Sequence, residues 1–513
     1  MKKYIYCFAL VLSLNGIVKA QDGVLDNTFG TGGKVSISYD YVDEIKDIAI
    51  QPDGKIVAVG TTDDQTTELT NILIARFLSN GTIDNSFGTN GWITTTVVPN
   101  FNCNAFALEL QSDGKIVVGA ETNDTANTSP LSGKFLILRY NSNGTLDNSF
   151  ASNGILSVTN TSTVDPLTFT SDLIIQPDGK IVLCGCNYST ANSTNLIFIR
   201  ANTNGSLDNT FGTNGVASLA TTLGSPFPMC MAIQTDNKIA FAGAIDNQTS
   251  NSPFISRLNT NGSIDPTFGS AGFVNPAYSS SSGFKDIKLD ASGNIYVCGF
   301  DNNGSLIARF TNTGAADATY GNAGSIISFM GTQQTEMLNQ LAIQPDGKVI
   351  AAGFADGHFA MMRTTSQGSL DAAFGTNGVV TTTFTSGIGS EAYGLELQSN
   401  GKIVLGGSNI TANMNSAFEF ALARYNNNSI TSLNEQELSG SVAVYPNPAN
   451  NLLKVDLEND PFAIVNIHDI SGQLIGTYSN QQTINVSGLA NGVYQLSVQS
   501  NDKIFTKKLV IAH

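Results

Sequence analysis

A phrase close to Q-P-D-G-K-I-V-x-x-G occurs seven times in the chain, and this repetition constrains the fold more than any other feature of the sequence. Successive copies are separated by 60, 65, 58, 56, 54 and 54 residues. A period of this length indicates one repeated supersecondary unit, because each unit buries its apolar surface against its neighbours. The central position of the phrase is occupied by Asp53, Asp113, Asp178, Asp236, Ser292, Asp346 and Asn400.

Two charged positions recur with the same period. A phrase N-G-x-L-D-x-x-F-G-x-x-G supplies one aspartate per repeat, and an apolar-x-Arg-aromatic phrase supplies all seven arginines of the chain. A residue present in every repeat more often holds the repeat together than binds a single ligand, so we predict structural roles for both sets. The residues are Arg76, Arg139, Arg200, Arg257, Arg309, Arg363 and Arg424, with Asp26, Asp84, Asp147, Asp208, Asp265, Asp317 and Asp371.

Each repeat predicts four antiparallel strands. An apolar alternation enters the P-D-G-K turn, a run rich in β-branched residues leaves it, and the arginine phrase and the segment after L-D-x-x-F-G supply two more strands. Seven such units predict an all-β, seven-bladed β-propeller over residues 21–426. The array begins with a fourth-strand phrase and ends with a third-strand phrase. Residues near Lys34–Ser38 should therefore pair with residues near Phe420–Arg424 and close the ring.

The Q-P-D-G-K and L-D-x-x-F-G phrases resemble those of the delta-60 repeat family over roughly residues 22–430. That family is defined by its sequence repetition, and the resemblance implies no particular activity. The propeller prediction itself comes from the count of strands per repeat.

The first 20 residues are predicted to be a signal peptide that is cleaved near Ala20. Lys2 and Lys3 precede an apolar stretch, and small residues stand at the positions before the cleavage site. No run in the chain reaches the roughly 18 apolar residues that a transmembrane helix needs. We therefore predict export without a transmembrane segment.

The segment after the repeats predicts a second domain. A polar linker at 427–440 precedes residues 441–513, whose period-two apolar pattern and Gly and Asn turns predict a small, Ig-like β-sandwich. Its phrases resemble the type A C-terminal sorting domain of the bacterial type IX secretion system. This resemblance implies the type IX machinery as a partner, and a secreted or outer-membrane surface location. The residues that carry it are Tyr445, Pro446, Asn447, Pro448, Gly472, Gly492, Tyr494, Lys507 and Lys508.

Composition excludes several classes of function. The net charge is −16, which disfavours binding to nucleic acid, and only three histidines are present, which removes most His-based catalytic and zinc sites. Five cysteines remain beyond the signal peptide, and we interpret them as small buried hydrophobic residues. The Asn-rich turns at Asn141–Asp147 and Asn202–Asp208 offer one carboxylate each, which favours a turn over a calcium loop. We predict no catalytic residue, cofactor or metal.

The connections between strands give the best functional indication. The two turn phrases of each repeat should share one face of the ring, so the variable, hydroxyl- and amide-rich connections share the other, where propellers carry binding residues. We therefore predict a binding or structural role, with an extracellular glycan or protein as partner. The alternative is an extracellular hydrolase or lyase acting on polysaccharide, with carboxylates from several blades meeting near the axis. The candidates by loop position are Asp63, Asp64, Asp246, Asp301 and Asp356.

Overall fold

The chain divides into two compact units, Met1–Ile430 and Thr431–His513. The computed structural model describes no helix in either unit, and it shows strands and turns only. The described residues are 22–427 except 65–66, 68, 124–132, 160–166, 191–192, 221–223, 248, 333–334, 385–386 and 412–417, and 442–511 except 448, 458–463, 469–473, 480–482, 491 and 501–502. The predicted signal peptide and most of the predicted linker lie outside them.

The first unit contains seven sheets of four antiparallel strands each, which confirms the predicted seven-bladed propeller. Blades 1 to 6 are β2–β5, β6–β9, β10–β13, β14–β17, β18–β21 and β22–β25, and blade 7 joins β26–β28 to β1. The strands are β1 (Lys34–Ile37), β2 (Asp43–Ile50), β3 (Ile56–Asp64), β4 (Leu69–Phe77), β5 (Trp92–Thr95), β6 (Asn102–Leu110), β7 (Ile116–Asn123), β8 (Lys134–Tyr140), β9 (Ile155–Thr159), β10 (Phe169–Ile175), β11 (Ile181–Thr190), β12 (Ser193–Ala201), β13 (Val216–Ala220), β14 (Ser225–Ile233), β15 (Ile239–Asp246), β16 (Asn251–Leu258), β17 (Phe273–Val274), β18 (Ser282–Leu289), β19 (Ile295–Asp301), β20 (Gly304–Phe310), β21 (Ser325–Ser328), β22 (Glu336–Ile343), β23 (Val349–Ala355), β24 (His358–Thr364), β25 (Val379–Thr382), β26 (Gly387–Leu397), β27 (Ile403–Thr411) and β28 (Phe418–Tyr425).

The two turn phrases fold each blade back on itself. In blade 1 the amide of Gly54 donates to the carbonyl of Gln51, and Gly54 has the left-handed φ of 82° that the P-D-G-K turn requires. Gly81, in the Asn-Gly turn, has a φ of 88°, and a Cβ atom there would lie 2.9 Å from the ring of Phe29 in blade 7. Glycine is therefore needed at this turn both for its φ and for the close approach of the neighbouring blade.

The ring is closed by the N-terminal strand. The first strand of each blade packs against the first strand of the next, and β26 of blade 7 packs against β2 of blade 1. In blade 7, β1 pairs with β28 from Lys34 with Ala423 to Ile37 with Phe420, which confirms the predicted closure. Pairing of the two ends of the array removes two free sheet edges.

The second unit contains two small antiparallel sheets, β29–β30–β33 and β32–β31–β34–β35. Apolar residues of both sheets, among them Leu453, Ile467 and Leu509, share one buried core, as expected for a β-sandwich. The Ig-like topology stays a prediction. The strands are β29 (Val442–Tyr445), β30 (Leu452–Leu457), β31 (Ile464–His468), β32 (Leu474–Ser479), β33 (Thr483–Asn485), β34 (Gly492–Ser500) and β35 (Lys503–Ile511).

Candidate functional site

The repeat arginines join neighbouring blades. Nε of Arg200 donates to Asp208 at 2.7 Å, Nη1 donates to the carbonyl oxygen of Thr260 in the next blade at 2.6 Å, and Nη2 donates to the hydroxyl of Thr210 at 3.1 Å. The guanidinium carbon also lies 4.5 Å from the centre of the Phe211 ring. The planar guanidinium group of arginine suits these partners, because its N–H groups donate to three oxygen atoms while the group also lies against an aromatic ring. We call this arrangement the latch.

The ion pair, the ring contact and the bond to the next blade of this latch occur in all seven blades. The Arg–Asp distances are 2.7–2.9 Å, and each arginine lies 4.4–4.9 Å from the aromatic ring that follows its aspartate. Each also bonds to the next blade, through a backbone carbonyl in six blades and through the Asn427 side chain in the other. The pairs are Arg76–Asp84, Arg139–Asp147, Arg200–Asp208, Arg257–Asp265, Arg309–Asp317, Arg363–Asp371 and Arg424–Asp26.

The latch leaves little capacity for a ligand. Burial alone would raise the pKa of Asp208, but hydrogen bonds from Thr210 and Lys180 and the charge of Arg200 hold that pKa well below its usual range. Each such aspartate is therefore a fully engaged carboxylate. The fourteen repeat residues lie between blades, away from the axis, so the structure does not bring them together into one site.

A different set of residues meets at the axis of the ring. The innermost strand of every blade contains a β-bulge at the same position, where a single residue has no partner in the ladder, and β26 contains a second one at Ile388. A bulge bends the strand and re-aims side chains. The bulged residues are Lys46, Phe106, Ser171, Met229, Lys285, Asn339 and Tyr393.

Three aspartates that follow these bulges satisfy the backbone of two blades each. Oδ2 of Asp47 accepts from the amide of Leu108 in blade 2 at 2.8 Å, and its Oδ1 accepts from the amide of Ile48 in its own blade. Asp172 and Asp286 join blades 3 with 4 and 5 with 6 in the same way. Gln340 accepts from the amide of Leu395 and joins blade 6 to blade 7. These axial carboxylates are accounted for by the amides that the bulges expose.

The bulged residues line a cavity of about 470 Å³ along the axis, which we call the central well. Blades 2, 3 and 4 supply an apolar wall. Blades 5, 6, 7 and 1 supply a polar wall on the opposite side of the well. The apolar wall consists of Phe106, Phe169, Phe227 and Met229, and the polar wall consists of Lys285, Asn339, Tyr393 and Lys46.

One end of the well lies at the face that carries the variable connections. Glu44, near the start of β2, pairs with Thr61 near the end of β3, and the connection from β3 to β4 follows directly. The strands then run inward, so Phe169 lies at the mouth and Ile174 lies at the inner end. At about 3.3 Å per residue, this segment makes the well about 16 Å deep.

A charged group lies at the inner end. Nζ of Lys288 is 3.5 Å from Asp286, and 45% of the Lys288 side chain is exposed to solvent. Burial raises the pKa of Glu109 and of Glu396 to about 7, against the opposing charge of Lys288. The charges of Asp286, Asp172, Glu396 and Glu109 outweigh the burial of Lys288 and raise its pKa. The well therefore contains carboxyl groups that titrate near neutral pH.

These carboxyl groups predict that the propeller is less stable at alkaline than at mildly acidic pH. Burial raises the pKa of Asp47 to about 8 and that of Asp172 to about 7, so the folded protein binds more protons than the unfolded chain above about pH 4. Stability is then lost as pH rises from about 4 to 8, on the order of 1–2 kcal/mol per carboxyl after screening by solvent. The measurement is urea unfolding at pH 5.5 and 8.5, followed by the fluorescence of Trp92. Glu109→Gln should reduce the difference, and Asp236→Asn, at an exposed turn, should preserve it.

The sequence contains a signal for the well that the repeat phrases hide. The bulged residue always stands five positions before the first residue of the Q-P-D-G phrase, as Lys46 does before Gln51. Across the seven repeats this position carries K, F, S, M, K, N and Y, whereas the residue two positions later is always Ile, Leu or Met. A variable position at a fixed distance from the regular apolar positions marks the residues that face the axis.

The loop aspartates of the enzyme alternative do not line the well. Asp301 accepts from the amides of Ser279 and Asn303, and Asp356 accepts from Thr332, so both hold connections between strands. The remaining three are Asp63, Asp64 and Asp246, which end the second strands of blades 1 and 4. The acidic residues that line the well are Asp47, Glu109, Asp172, Asp286 and Glu396.

Other predicted features were also located. The five cysteines are buried and free of disulfides among the described residues, and burial raises the pKa of the Cys184, Cys230 and Cys298 thiols well above the usual value. In the part of the chain that the structure describes, no group of three or more His, Cys, Asp or Glu residues could hold a metal ion. The described segments also contain no helix long and apolar enough to span a membrane.

The residues of the sorting phrases lie in or beside strands of the second unit. Tyr445 ends β29, and the side chain of Asn447 accepts from the amide of Val510 at 2.8 Å. The hydroxyl of Tyr494, in β34, donates to the carbonyl of Ala490 at 3.0 Å. Of the others, Pro446 follows Tyr445 and Gly492 begins β34, whereas Pro448, Gly472 and the side chains of Lys507 and Lys508 lie outside the description.

Two family models match the chain. A DUF5122 beta-propeller domain, described as a domain of unknown function, matches residues 51–87, 111–150, 176–211, 234–268, 344–374 and 398–429, and a secretion system C-terminal sorting domain matches residues 443–512. Each propeller match begins at the Gln of the Q-P-D-G phrase, and the fifth repeat is outside the matched segments. That repeat departs from the phrases at Asp290, Ser292 and Tyr320. No curated protein matches the chain.

Several solved structures are similar to the chain. The extracellular domain of a hybrid two-component system protein from B. thetaiotaomicron is 10% identical with a TM-score of 0.39, and covers 93% of this chain, which spans 57% of that protein's length. Virginiamycin B lyase from Staphylococcus aureus is 13% identical with a TM-score of 0.43, over 76% of this chain and 97% of the lyase. The beta-propeller domain of the Trilobed protease from Pyrococcus furiosus is 12% identical with a TM-score of 0.38, over 76% and 94% of the two chains.

Proposed function

Because the chain carries a DUF5122 beta-propeller region followed by a type IX sorting domain, it is a secreted or cell-surface propeller protein, and we propose that it binds an extracellular ligand in the central well. In this proposal the propeller is a rigid frame and the well is its binding site. The sorting domain at 441–513 delivers it through the type IX machinery, after cleavage of the signal peptide near Ala20.

One observation carries the proposal: all seven innermost strands bulge at the same position and turn unlike side chains into one cavity. The repeat residues are identical from blade to blade because they all form latches, whereas the well residues differ because each lines a different part of one site. Ligand sites are typically such cavities, of about 300–1,000 Å³, with apolar walls and a few convergent polar groups.

A variant that fills the well tests the proposal. Ser171→Trp places an indole between the two walls, and we expect it to abolish ligand binding of any chemical class. Phe329→Trp is a matched control, because Phe329 is 43% exposed and lies outside the well. Each purified full-length protein is incubated with mixtures of saccharides, peptides and metabolites, and retained compounds are identified by native mass spectrometry. The proposal is wrong if wild type and Ser171→Trp retain the same compounds at equal melting temperature.

The convergence of carboxyl groups favours a second candidate, a polysaccharide hydrolase or lyase. Glu109 and Glu396 lie at the inner end of the well, and burial raises the pKa of each to about 7 although each also accepts from the backbone amide of the residue that follows it. Such groups suit general acid–base catalysis at neutral pH. Turnover of a retained saccharide by the wild type, and its loss in Glu109→Gln and Glu396→Gln, would establish this candidate.

A further inference from the structure

We infer that the well takes the end of an uncharged oligosaccharide, inserted along the axis of the ring; this inference rests on the proposed function and assigns its ligand class. Three observations carry it: the amphipathic walls, the distribution of charge along the well, and its depth.

The two walls match the two sides of a sugar ring. On one side, Phe106, Phe169, Phe227 and Met229 come from three consecutive blades, and the rings of Phe169 and Phe227 are 6.3 Å apart and nearly perpendicular. The faces of aromatic rings carry partial negative charge and attract the C–H groups of a pyranose face. These side chains are only partly buried, so a ligand would cover apolar surface that is now open to solvent.

The opposite wall offers hydrogen bonds. Asn339 donates its amide nitrogen to the carbonyl of Ala392 at 2.8 Å, and its amide oxygen can still accept. Nζ of Lys285 has no carboxylate within ion-pair distance among the described residues, so its N–H groups are available to donate hydrogen bonds to a ligand. Ser171, in blade 3, adds a hydroxyl group to the lining between the aromatic residues of the apolar wall. A ring with one apolar face and hydroxyl groups at its edge satisfies both walls at once.

The charges of the well favour a ligand without charge. Near the mouth, Lys46 is paired with Glu44 at 2.5 Å and lies 4.6 Å from the centre of the Tyr393 ring, so among the described lysines that line the well Lys285 is the one without a carboxylate partner. At the inner end, Glu109 and Glu396 place negative charge around Lys288. An anionic chain would meet Glu109 and Glu396 when its end reaches the inner end of the well, and a cationic chain would have to pass Lys285 before that point. A neutral chain has neither penalty.

The shape of the well favours the end of a chain. The well is about 16 Å deep along the axis, by the rise of its strands, and its volume is about 470 Å³. A polymer lying across the mouth would contact only Phe169, Phe227 and the connections on that face. A chain end that enters along the axis would contact both walls for several sugar units.

The test is isothermal titration of the full-length protein, without its first 20 residues, against oligosaccharides of defined charge. The probes are maltotriose, cellotriose, xylotriose, mannotriose and N-acetylchitotriose, with trigalacturonic acid as the anionic comparison and trilysine as the cationic one. We expect at least one neutral trisaccharide to bind, and its affinity to stay constant between 50 and 500 mM NaCl. Phe169→Ala and Phe227→Ala should each weaken binding at least tenfold, and Phe329→Ala, an exposed aromatic outside the well, should leave it unchanged.

The outcomes separate this inference from the proposed function. If trigalacturonic acid or trilysine binds more tightly than every neutral probe, or if only non-saccharide compounds bind in a Ser171→Trp-sensitive manner, the ligand class is wrong while the function stands. If neutral trisaccharides bind equally well to Ser171→Trp, both fail. Absence of binding by every neutral probe at millimolar concentration overturns the inference. A polymer that binds as tightly as its trisaccharide after chemical blocking of its ends would overturn end-on insertion.

Discussion

Replacing Arg200 with alanine should lower the free energy of unfolding of the propeller by about 3–5 kcal/mol, because it removes one partner of a buried ion pair. The Arg200 and Asp208 side chains are 6% and 5% exposed. The substitution also leaves the carbonyl of Thr260 without its donor and opens a gap over the Phe211 ring. Trp92, the one tryptophan of the chain, lies in the propeller, so its fluorescence in urea measures this unit alone.

Blade 5 provides a matched control. Arg309 and Asp317 are 2.8 Å apart, but their side chains are 13% and 18% exposed, and their pair lacks the lysine that Lys180 supplies to Asp208. Arg309→Ala should therefore cost only about 1–2 kcal/mol. Arg200→Lys should recover part of the loss, since lysine keeps the charge but not the planar fork. Equal losses for Arg200→Ala and Arg309→Ala, or an unchanged midpoint for Arg200→Ala, would show that burial of the latch is not what stabilises the ring.

Deleting residues 22–38 should prevent cooperative folding of the propeller. The deletion removes β1, the fully buried Phe29 and the aspartate partner of Arg424. Loss of a buried phenylalanine alone costs about 3–5 kcal/mol, which approaches the total stability of many domains. The fluorescence of Trp92 should change on deletion, because its ring lies 5.6 Å from that of Phe420, and Phe420 pairs with Ile37 of β1.

Moving the same residues should restore folding. In all six complete blades the latch aspartate follows its arginine by eight residues, as Asp84 follows Arg76. Joining Asn427 directly to Asp22 gives Arg424 and Asp26 that same spacing. The turn is already in place, since the amide of Gly23 donates to Asn426 at 2.8 Å as that of Gly81 donates to Leu78.

The rearranged chain contains residues 39–427, then 22–38, then 428–513, behind the signal peptide. We expect its Trp92 emission and urea midpoint to match those of the native chain. The deletion variant should show neither the native emission nor a cooperative transition in urea. A rearranged chain that fails to fold would contradict our account of the closure, in which blade 7 is an ordinary blade interrupted at one turn.

The regular part of the structure could be predicted because the repeat shows it seven times. The spacing from Arg76 to Asp84 and the phase of the phrases predict the third strand, the fourth strand and the closure by Lys34–Ile37. Each of these features depends on backbone geometry that is the same in every blade. Each of these predicted features is therefore supported by seven copies of the same phrases.

The well could not be predicted in the same way because it depends on what differs between blades. Asp53 stands in a repeated turn and attracts attention, whereas Asp47 stands in a strand position occupied by Ala107 and Gly394 in other blades. A bulge is not visible in a period-two pattern, since it inserts one residue and shifts the side chains that follow. The ring brings these positions together only after all seven strands are placed.

The most direct test of the central claim is a crystal structure of the full-length protein with the neutral trisaccharide that it binds most tightly. We predict density for the sugar in the central well, with one ring face against Phe169 and Phe227 and hydroxyl groups toward Lys285 and Asn339. Density for the sugar on the opposite face of the ring, among the P-D-G-K turns, with an empty well would contradict the account.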